Sequence, residues 1–500
     1  MKGIVTAAEM KSYDSYTISE VGVPSMVLME RAALSVVQRI EAQIIGKKAK
    51  VCIACGVGNN GADGLAIARM LAERGSQVCV YIYGNPEKKT PEFVMQQEIL
   101  ESYPVQILVG EPIADSEYDI IVDGLFGVGL TRSVEGEFAE VIHALNTLKG
   151  YKVAVDIPSG ISADTGAILG CCFQADITVT FAFGKRGLYF YPGADCTGEI
   201  FVEDIGIGPV SNPKCNPAMY TYEKADIVRF LPERKGSGNK GTFGKVLVVA
   251  GFEYMVGAAV LCSRACYEMG AGMVKVICPE ENRIILQQAV PEILYGTCED
   301  LDSSLKWADV VVVGPGMGCS QMAREVLAQL LEKCELPMVM DADALNMLSE
   351  DEELQDALYH RGDKGVETIL TPHMGEFARL AGASVEDLKA DTAQAASNWA
   401  KAYQIILVAK DARTVVADAN GRLYLNCTGN SGMATAGSGD VLAGIVGSLL
   451  AQGLSGFEAA TLGVYIHSLA GDEAADKYSE YGVTAGKIIE NVKGILADGR

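Results

Sequence analysis

Asn430-Ser431-Gly432-Met433-Ala434-Thr435-Ala436-Gly437-Ser438-Gly439-Asp440 runs without a break into Val441-Leu442-Ala443-Gly444-Ile445-Val446-Gly447. Glycines and small residues let backbone N–H groups approach an anion closely, and the apolar run behind them predicts a buried helix whose N-terminus points at that anion. Asp440 falls in the first turn, where a carboxylate facing a phosphate would be repelled. It fits there as a base that takes a proton from a hydroxyl about to be phosphorylated. The stretch therefore predicts a phosphoryl-transfer centre in an α/β fold. The plainer alternative is a glycine-rich turn before an ordinary acidic helix start.

Working outward, strand-like apolar runs alternate with helical patterns twice over. The first series follows a helical region at about 7–45. Its strands are expected near Val51-Ala54, Val78-Tyr83, Val105-Val109, Asp119-Val122, Lys152-Val155 and Ile177-Phe181. The second has strands expected at Lys245-Gly251, Val274-Pro279, Val310-Val313, Met338-Asp341, Thr368-Leu370 and Ile405-Val408. Its helices are expected at about 256–269, 321–333, 384–401, 439–452, 456–475 and 484–496. Such alternation predicts parallel sheets covered on both faces. Between the series, 207–222 carries three prolines and little periodicity and is expected to be a linker. With 500 residues, two domains are the default; the division expected is 1–214 and 222–500.

A net charge of −23 argues against nucleic acid or an anionic membrane as the main partner. No apolar stretch of about 18 residues occurs, so no membrane span is expected. The fourteen cysteines lack paired zinc spacing and largely sit in apolar patterns. They are read as reduced core residues of a cytoplasmic protein. The apolar run Met26-Val27-Leu28-Met29 suits either core packing or a homo-oligomer contact.

In the first series, Gly56-Val57-Gly58-Asn59-Asn60-Gly61-Ala62-Asp63-Gly64 follows a strand and opens a helix. The next strand ends Tyr81-Ile82-Tyr83-Gly84-Asn85, without the acid that holds ribose hydroxyls in a standard dehydrogenase. Asp123-Gly124-Leu125-Phe126-Gly127-Val128-Gly129-Leu130-Thr131-Arg132, Asp156-Ile157-Pro158-Ser159-Gly160 and Gly184-Lys185-Arg186-Gly187 also follow strands. In an open parallel sheet these ends line one crevice, so Asp63, Asp123 and Asp156 should share it with Asn60 and Ser159. Clustered carboxylates call for a cation, a shifted pKa, or both. Taken singly, each Asp reads as a cap or turn residue.

These motifs resemble those of the NAD(P)H-hydrate epimerases over roughly residues 1–212. The resemblance implies a potassium ion held by Asn60, Asp123 and Ser159. It also implies substrate contacts from Asn59, Asn60, Gly61, Ala62 and Asp63, from Gly127, Val128, Gly129, Leu130, Thr131, Arg132 and Ser133, and from Asp156. Asp156 and Lys185 then fit as proton-transfer groups. Ala62 stands where that family commonly has glycine.

In the second series, Gly314-Pro315-Gly316-Met317-Gly318, Asp341-Ala342-Asp343-Ala344-Leu345-Asn346, Thr371-Pro372-His373-Met374-Gly375-Glu376-Phe377 and Lys410-Asp411-Ala412-Arg413-Thr414 each follow a strand. With the 432–440 loop, they resemble the ribokinase-like ADP- or ATP-dependent NAD(P)H-hydrate dehydratases over roughly 222–500. Carried over by position, Ala258, Gly318, His373 and Asp440 would contact the hydrated cofactor. Lys410, Asp411, Ala412, Arg413 and Thr414, with Asn430, Gly437, Ser438 and Gly439, would hold ADP or ATP with Mg2+. Glu253 and Ser431 depart from that family's usual residues. The fused order matches the bifunctional repair enzymes. The fold expected is thus a Rossmann-like three-layer α/β domain followed by a ribokinase-like three-layer α/β domain. The substrates that the resemblance implies are hydrated NADH and NADPH. The rival reading is a small-molecule kinase carrying a non-catalytic N-terminal binding module.

Overall fold

The computed structural model describes residues 1–43, 48–114, 116–210 and 212–498. The chain divides between Ala218 and Met219 into two compact units.

The N-terminal unit contains β1 (Lys2–Val5), β2 (Lys50–Cys55), β3 (Gln77–Ile82), β4 (Gln106–Val109), β5 (Ile120–Gly124), β6 (Tyr151–Val155), β7 (Ile177–Phe181), β8 (Gly184–Lys185) and β9 (Glu199–Glu203). Seven of these form one sheet in the order β4-β3-β2-β5-β6-β7-β9, with every pairing parallel. The alternation along β2 decides the layering. Val51, Ile53 and Cys55 pack in one core with Leu28, Val36 and Ile40 of the helix Ser25–Gln43 and with Leu65 and Ile67 of the helix Asn59–Glu73. Cys52 and Ala54 face the other core, with Val141, Ile142 and Leu145 of the helix Glu137–Thr147. Successive strand residues point to opposite faces, so one strand serves two helical layers. A further parallel pair, β1 with β8, sets Val5 beside Lys185.

The C-terminal unit contains β10 (Met219–Thr221), β11 (Lys245–Val249), β12 (Met273–Ile277), β13 (Leu294–Gly296), β14 (Val310–Val313), β15 (Met338–Met340), β16 (Thr368–Leu370), β17 (Ile406–Ala409), β18 (Val415–Ala417) and β19 (Leu423–Leu425). Their order is β13-β12-β11-β14-β15-β16-β17-β18-β19-β10. The sheet is parallel through β17, and β18 then pairs antiparallel with both of its neighbours. The register Val313↔Met340 and Met340↔Leu370 brings Gly314, Asp341 and Thr371 out at one edge. The helix Ser438–Ala451 is buried from Val441 through Leu450. A helix buried on every side beyond its first turn belongs inside a layered core rather than on a surface.

Several expectations are corrected. The helix expected over 384–401 is two, Val385–Ala390 and Thr392–Tyr403. Asp391 breaks it: its side chain accepts from Gln394 N and caps the second helix. The expected linker contains β10, and Ser211 within it lies outside the described residues. The first helical region is two helices, Ala7–Ser19 and Ser25–Gln43, and 44–45 lie outside the described residues. In the Met26–Met29 run, Leu28 and Met29 turn into the core and Val27 is exposed. The cysteines are unbridged. Among the described residues, no helix is long and apolar enough to cross a membrane.

Candidate active sites

The helix Asn59–Glu73 starts directly after β2, with Gly58 as its N-cap. This start is possible because the chain turns very tightly. A Cβ on Gly61 would lie 1.8 Å from Gly56 O. Ala62 is fully buried and helical, so its methyl sits without backbone strain. Asn59, Asn60, Asp63, the run Gly127–Arg132 and Asp156 line one cavity of about 560 Å³. Gly61 and Ala62 are buried in the helix behind it, and the exposed Ser133 lies outside the wall.

Asp156 sits at the end of β6 with φ +68, a left-handed conformation unusual for a side chain larger than glycine. Its Oδ1 accepts from Lys185 Nζ at 2.5 Å and from Thr180 Oγ1 at 3.0 Å. Lys185 is 1 % exposed, and its ammonium also donates to Thr180 Oγ1 and to Phe181 O. The pair is thus one hydrogen-bonded unit with Asp156 on the cavity side. Asp63 is partly buried on the cavity wall; burial first, then the charges of Asp156 and Asp14, push its carboxyl well above the usual range.

Beside this cavity, Asp123 Oδ1 accepts from Ser159 Oγ at 2.6 Å and from Leu125 N, and Oδ2 accepts from Ser159 N at 2.7 Å. Burial raises Asp123 to about 6 against the pull of these hydrogen bonds. Asn60 Nδ2 is buried without a partner. A Cβ on Gly127 would stand 3.3 Å from Asn60 Oδ1. Among the described residues, no three His, Cys, Asp or Glu side chains form a metal-binding group.

In the C-terminal unit, Asp440 lies in the first turn of the helix Ser438–Ala451, whose N-cap is Gly437 at φ +87. Burial first, then the charges of Asp341 and Asp343, raise its carboxyl to about 7, with Lys410 opposing. Lys410 Nζ donates to Asp341 Oδ1 at 2.7 Å. Gly439 covers this pair, because a Cβ there would lie 3.2 Å from Lys410 Nζ and 3.3 Å from Asp341 Oδ2. The backbones of His373 and Lys410 lie paired in parallel. His373 is a helix N-cap: Nδ1 accepts from Gly375 N at 3.0 Å, while Glu376 Oε2 accepts from His373 N. Burial, then the charges of Lys410 and Arg379, lower its pKa.

Asp343 anchors the glycine turn after β14, its Oδ2 accepting from Gly318 N at 2.7 Å. Ala258 lies against the same turn; a Cβ on Gly316 would stand 2.8 Å from its methyl. After β17, Asp411 pairs with Lys389 at 2.8 Å, Arg413 Nη1 donates to Cys427 O, Thr414 Oγ1 donates to Asp411 O, and Ala412 is exposed. A cavity of about 690 Å³ is walled by Ser431, Gly432, Ala434 and Thr435 on one side and by Ser479–Tyr481 and Val483 on the other. Asp440 and Lys410 do not line it.

Sequence reasoning missed the residues that hold the glycine loop. They lie on the helix Gly456–Tyr478. Asp472 Oδ2 accepts from Gly429 N and Oδ1 from Asn430 Nδ2, both at 2.9 Å. At the other end of the loop, His467 Nε2 is 3.3 Å from Ser438 Oγ. Burial lowers His467 to about 4 and keeps the ring neutral. Spacing hid these residues, because they follow the loop at a distance on a helix that reads as plain core. Lys88, on the wall of the N-terminal cavity, was missed as well.

Comparison with known proteins shows the family of the chain. A family described as NAD(P)H-hydrate dehydratase matches residues 246–493, and one described as YjeF-related protein N-terminus matches 25–187. The bifunctional NAD(P)H-hydrate repair enzyme Nnr of Moorella thermoacetica is 39% identical over 99% of this chain and 96% of its own length. The chain belongs to the bifunctional NAD(P)H-hydrate repair enzymes. The member of this repair family from Thermofilum pendens is 35% identical over 96% of this chain and 94% of its own. Among solved structures, the ADP/ATP-dependent NAD(P)H-hydrate dehydratase of Bacillus subtilis is 25% identical, covering 56% of this chain and 98% of its own, with a TM-score of 0.49. Both matched segments of a repair enzyme are thus present in one chain, in the order in which its two sites occur.

Proposed function

We propose that the chain restores both epimers of hydrated NADH and NADPH to the reduced cofactor, with epimerisation in residues 1–214 and ADP- or ATP-dependent dehydration in residues 222–500. The observation that carries the dehydration step is Asp440, an aspartate poised near neutrality at the first turn of a buried helix behind a glycine loop. Asp440 takes the proton of the C6 hydroxyl, and that oxygen attacks the terminal phosphorus of the nucleotide. The C6–O bond of the new phosphate ester then breaks, releasing inorganic phosphate as the ring nitrogen donates its electron pair, and loss of a proton from C5 restores the dihydropyridine. Backbone N–H groups at 437–439 and the helix N-terminus stabilise the transferring phosphoryl group. Lys410, Asp411, Ala412, Arg413 and Thr414, with Asn430, Gly437, Ser438 and Gly439, hold the nucleotide. Ala258, Gly318 and His373 border the hydrated ring. Mg2+ accompanying the nucleotide supplies charge neutralisation at its phosphates.

In the N-terminal unit, Asp156 and Lys185 exchange protons beside the hydrated carbon, and Asn59–Asp63 with Gly127–Ser133 bind the rest of the cofactor. Asn60, Asp123 and Ser159 fit a potassium ion. They offer an amide oxygen, a carboxylate and a hydroxyl, the hard oxygen donors that such a cation takes. When bound, that ion supplies a fixed positive charge beside the substrate.

The test is regeneration of reduced cofactor from a mixture of both epimers with ADP or ATP. A stable phosphorylated product without regeneration would instead make the C-terminal unit a small-molecule kinase.

A further inference from the structure

The N-terminal cavity extends past the residues assigned above to Gly84, Asn85 and Lys88, just beyond the end of β3. In an open parallel sheet of this kind, the end of the strand next to the glycine-turn strand faces the adenosine ribose of a bound dinucleotide. An acid there binds the free 2′- and 3′-hydroxyls, whereas a cation accommodates a 2′-phosphate. Here β3 pairs directly with β2, so this corner lies beside the 56–63 turn. Its wall residues Gly84, Asn85 and Lys88 include no acid and one lysine.

The turn that carries this exposed lysine is fixed. Asn85 Oδ1 accepts from Glu87 N at 3.0 Å, and Lys88 N donates to Asn85 O at 3.0 Å. With Pro86 in the first position, these bonds fix a short 3-10 turn over Pro86–Lys88. The neighbouring Lys89 is already engaged: its Nζ donates to Gln97 Oε1 at 2.8 Å and lies 5.6 Å from the centre of the Phe93 ring. The Lys88 ammonium, by contrast, has no hydrogen-bond or ion-pair partner among the described residues. An unpaired cation on a cavity wall, in a chain of net charge −23, sits where an anion is expected.

We infer that Lys88 is a specificity residue of the epimerising site, pairing with the 2′-phosphate of hydrated NADPH and favouring it over hydrated NADH. This rests on the reading of the N-terminal cavity as the epimerase site. Asp156 and Lys185 act at the other end of the cofactor and do not distinguish the two substrates.

The experiment uses the full chain without ADP or ATP, so that dehydration is silent and conversion of the R to the S epimer reports the N-terminal site alone. Epimerisation of hydrated NADPH and of hydrated NADH is followed by chromatographic separation of the epimers. A charge-assisted contact corresponds to roughly a tenfold preference in kcat/KM for hydrated NADPH, expressed mainly in KM. In Lys88→Ala the ratio falls to within about twofold of one, and Lys88→Arg restores it. Adenosine 2′,5′-bisphosphate inhibits the wild type competitively and more strongly than 5′-AMP, a difference that Lys88→Ala removes. A wild-type ratio of one, or a ratio unchanged in Lys88→Ala, overturns the assignment. Failure to epimerise either hydrate removes the underlying reading of the site as well.

Discussion

The two sites are built from the same parts and put their aspartates to different use. Each lies at the ends of parallel strands, behind a glycine turn that starts a helix, and each contains an Asp–Lys pair. In the N-terminal unit the pair is Asp156 with Lys185, and the lysine is almost completely buried behind its partner. In the C-terminal unit the lysine, Lys410, pairs with Asp341 and leaves Asp440 unpaired. Asp440 therefore meets burial and two like charges with only one opposing cation nearby. The difference is electrostatic: in the C-terminal site the lysine goes to Asp341, and Asp440 is left to titrate near neutrality.

The largest expected effect is Asp440→Asn. A general base contributes about 10²–10⁴-fold, so dehydration of the S epimer should fall by about that much, measured as regeneration of reduced cofactor, while epimerisation continues. The variant should also be more stable. The folded-state pKa of Asp440 is raised to about 7, so its contribution is fully present below the unfolded pKa near 3.8 and is lost as pH rises through 7. Asparagine removes that loss. Thermal unfolding at pH 8 should show a gain on the order of 2–4 kcal/mol that vanishes near pH 4. A destabilised variant would contradict this electrostatic reading.

Asp156→Asn and Lys185→Met should each abolish epimerisation and leave dehydration of the S epimer intact. Equal loss of both activities would break the comparison between two separate sites. A milder probe is pH. Asp440 acts as a base only when ionised, so kcat/KM for dehydration should fall below about pH 7 with unit slope. A limb near 4 would mean that burial does not set this carboxyl's titration.

The smallest effects should come from the helix that holds the glycine loop. Asp472→Asn keeps its size but loses the charge on two hydrogen bonds to Gly429 and Asn430. KM for the nucleotide should rise roughly tenfold with little change in kcat. A fall in kcat alone would place Asp472 in the chemistry rather than in loop positioning.

Much of the fold and of both sites is readable from residue order. Strand–turn–helix alternation marks both sheets, because fully buried parallel strands such as Val310–Val313 are apolar throughout. Strand-end motifs mark the polar residues that meet at one edge, since register aligns Gly314, Asp341 and Thr371. Less legible are contacts made across long sequence distances. Short strands such as Met219–Thr221 and Leu423–Leu425 carry too few residues for periodicity to speak. The partners of the glycine loop, His467 and Asp472, are set by helix packing rather than by spacing. Asp391, which reads as part of one long helix, ends one helix and caps the next.

The most direct measurement takes an equilibrated mixture of R and S hydrated NADPH, adds ADP or ATP, and follows absorbance at the reduced-nicotinamide band with wild type, Asp156→Asn and Asp440→Asn. Full recovery, recovery of the S fraction only, and no recovery are expected, respectively. Full recovery by Asp156→Asn, or enzymatic recovery by Asp440→Asn comparable to wild type, would contradict the division of labour between the two aspartates.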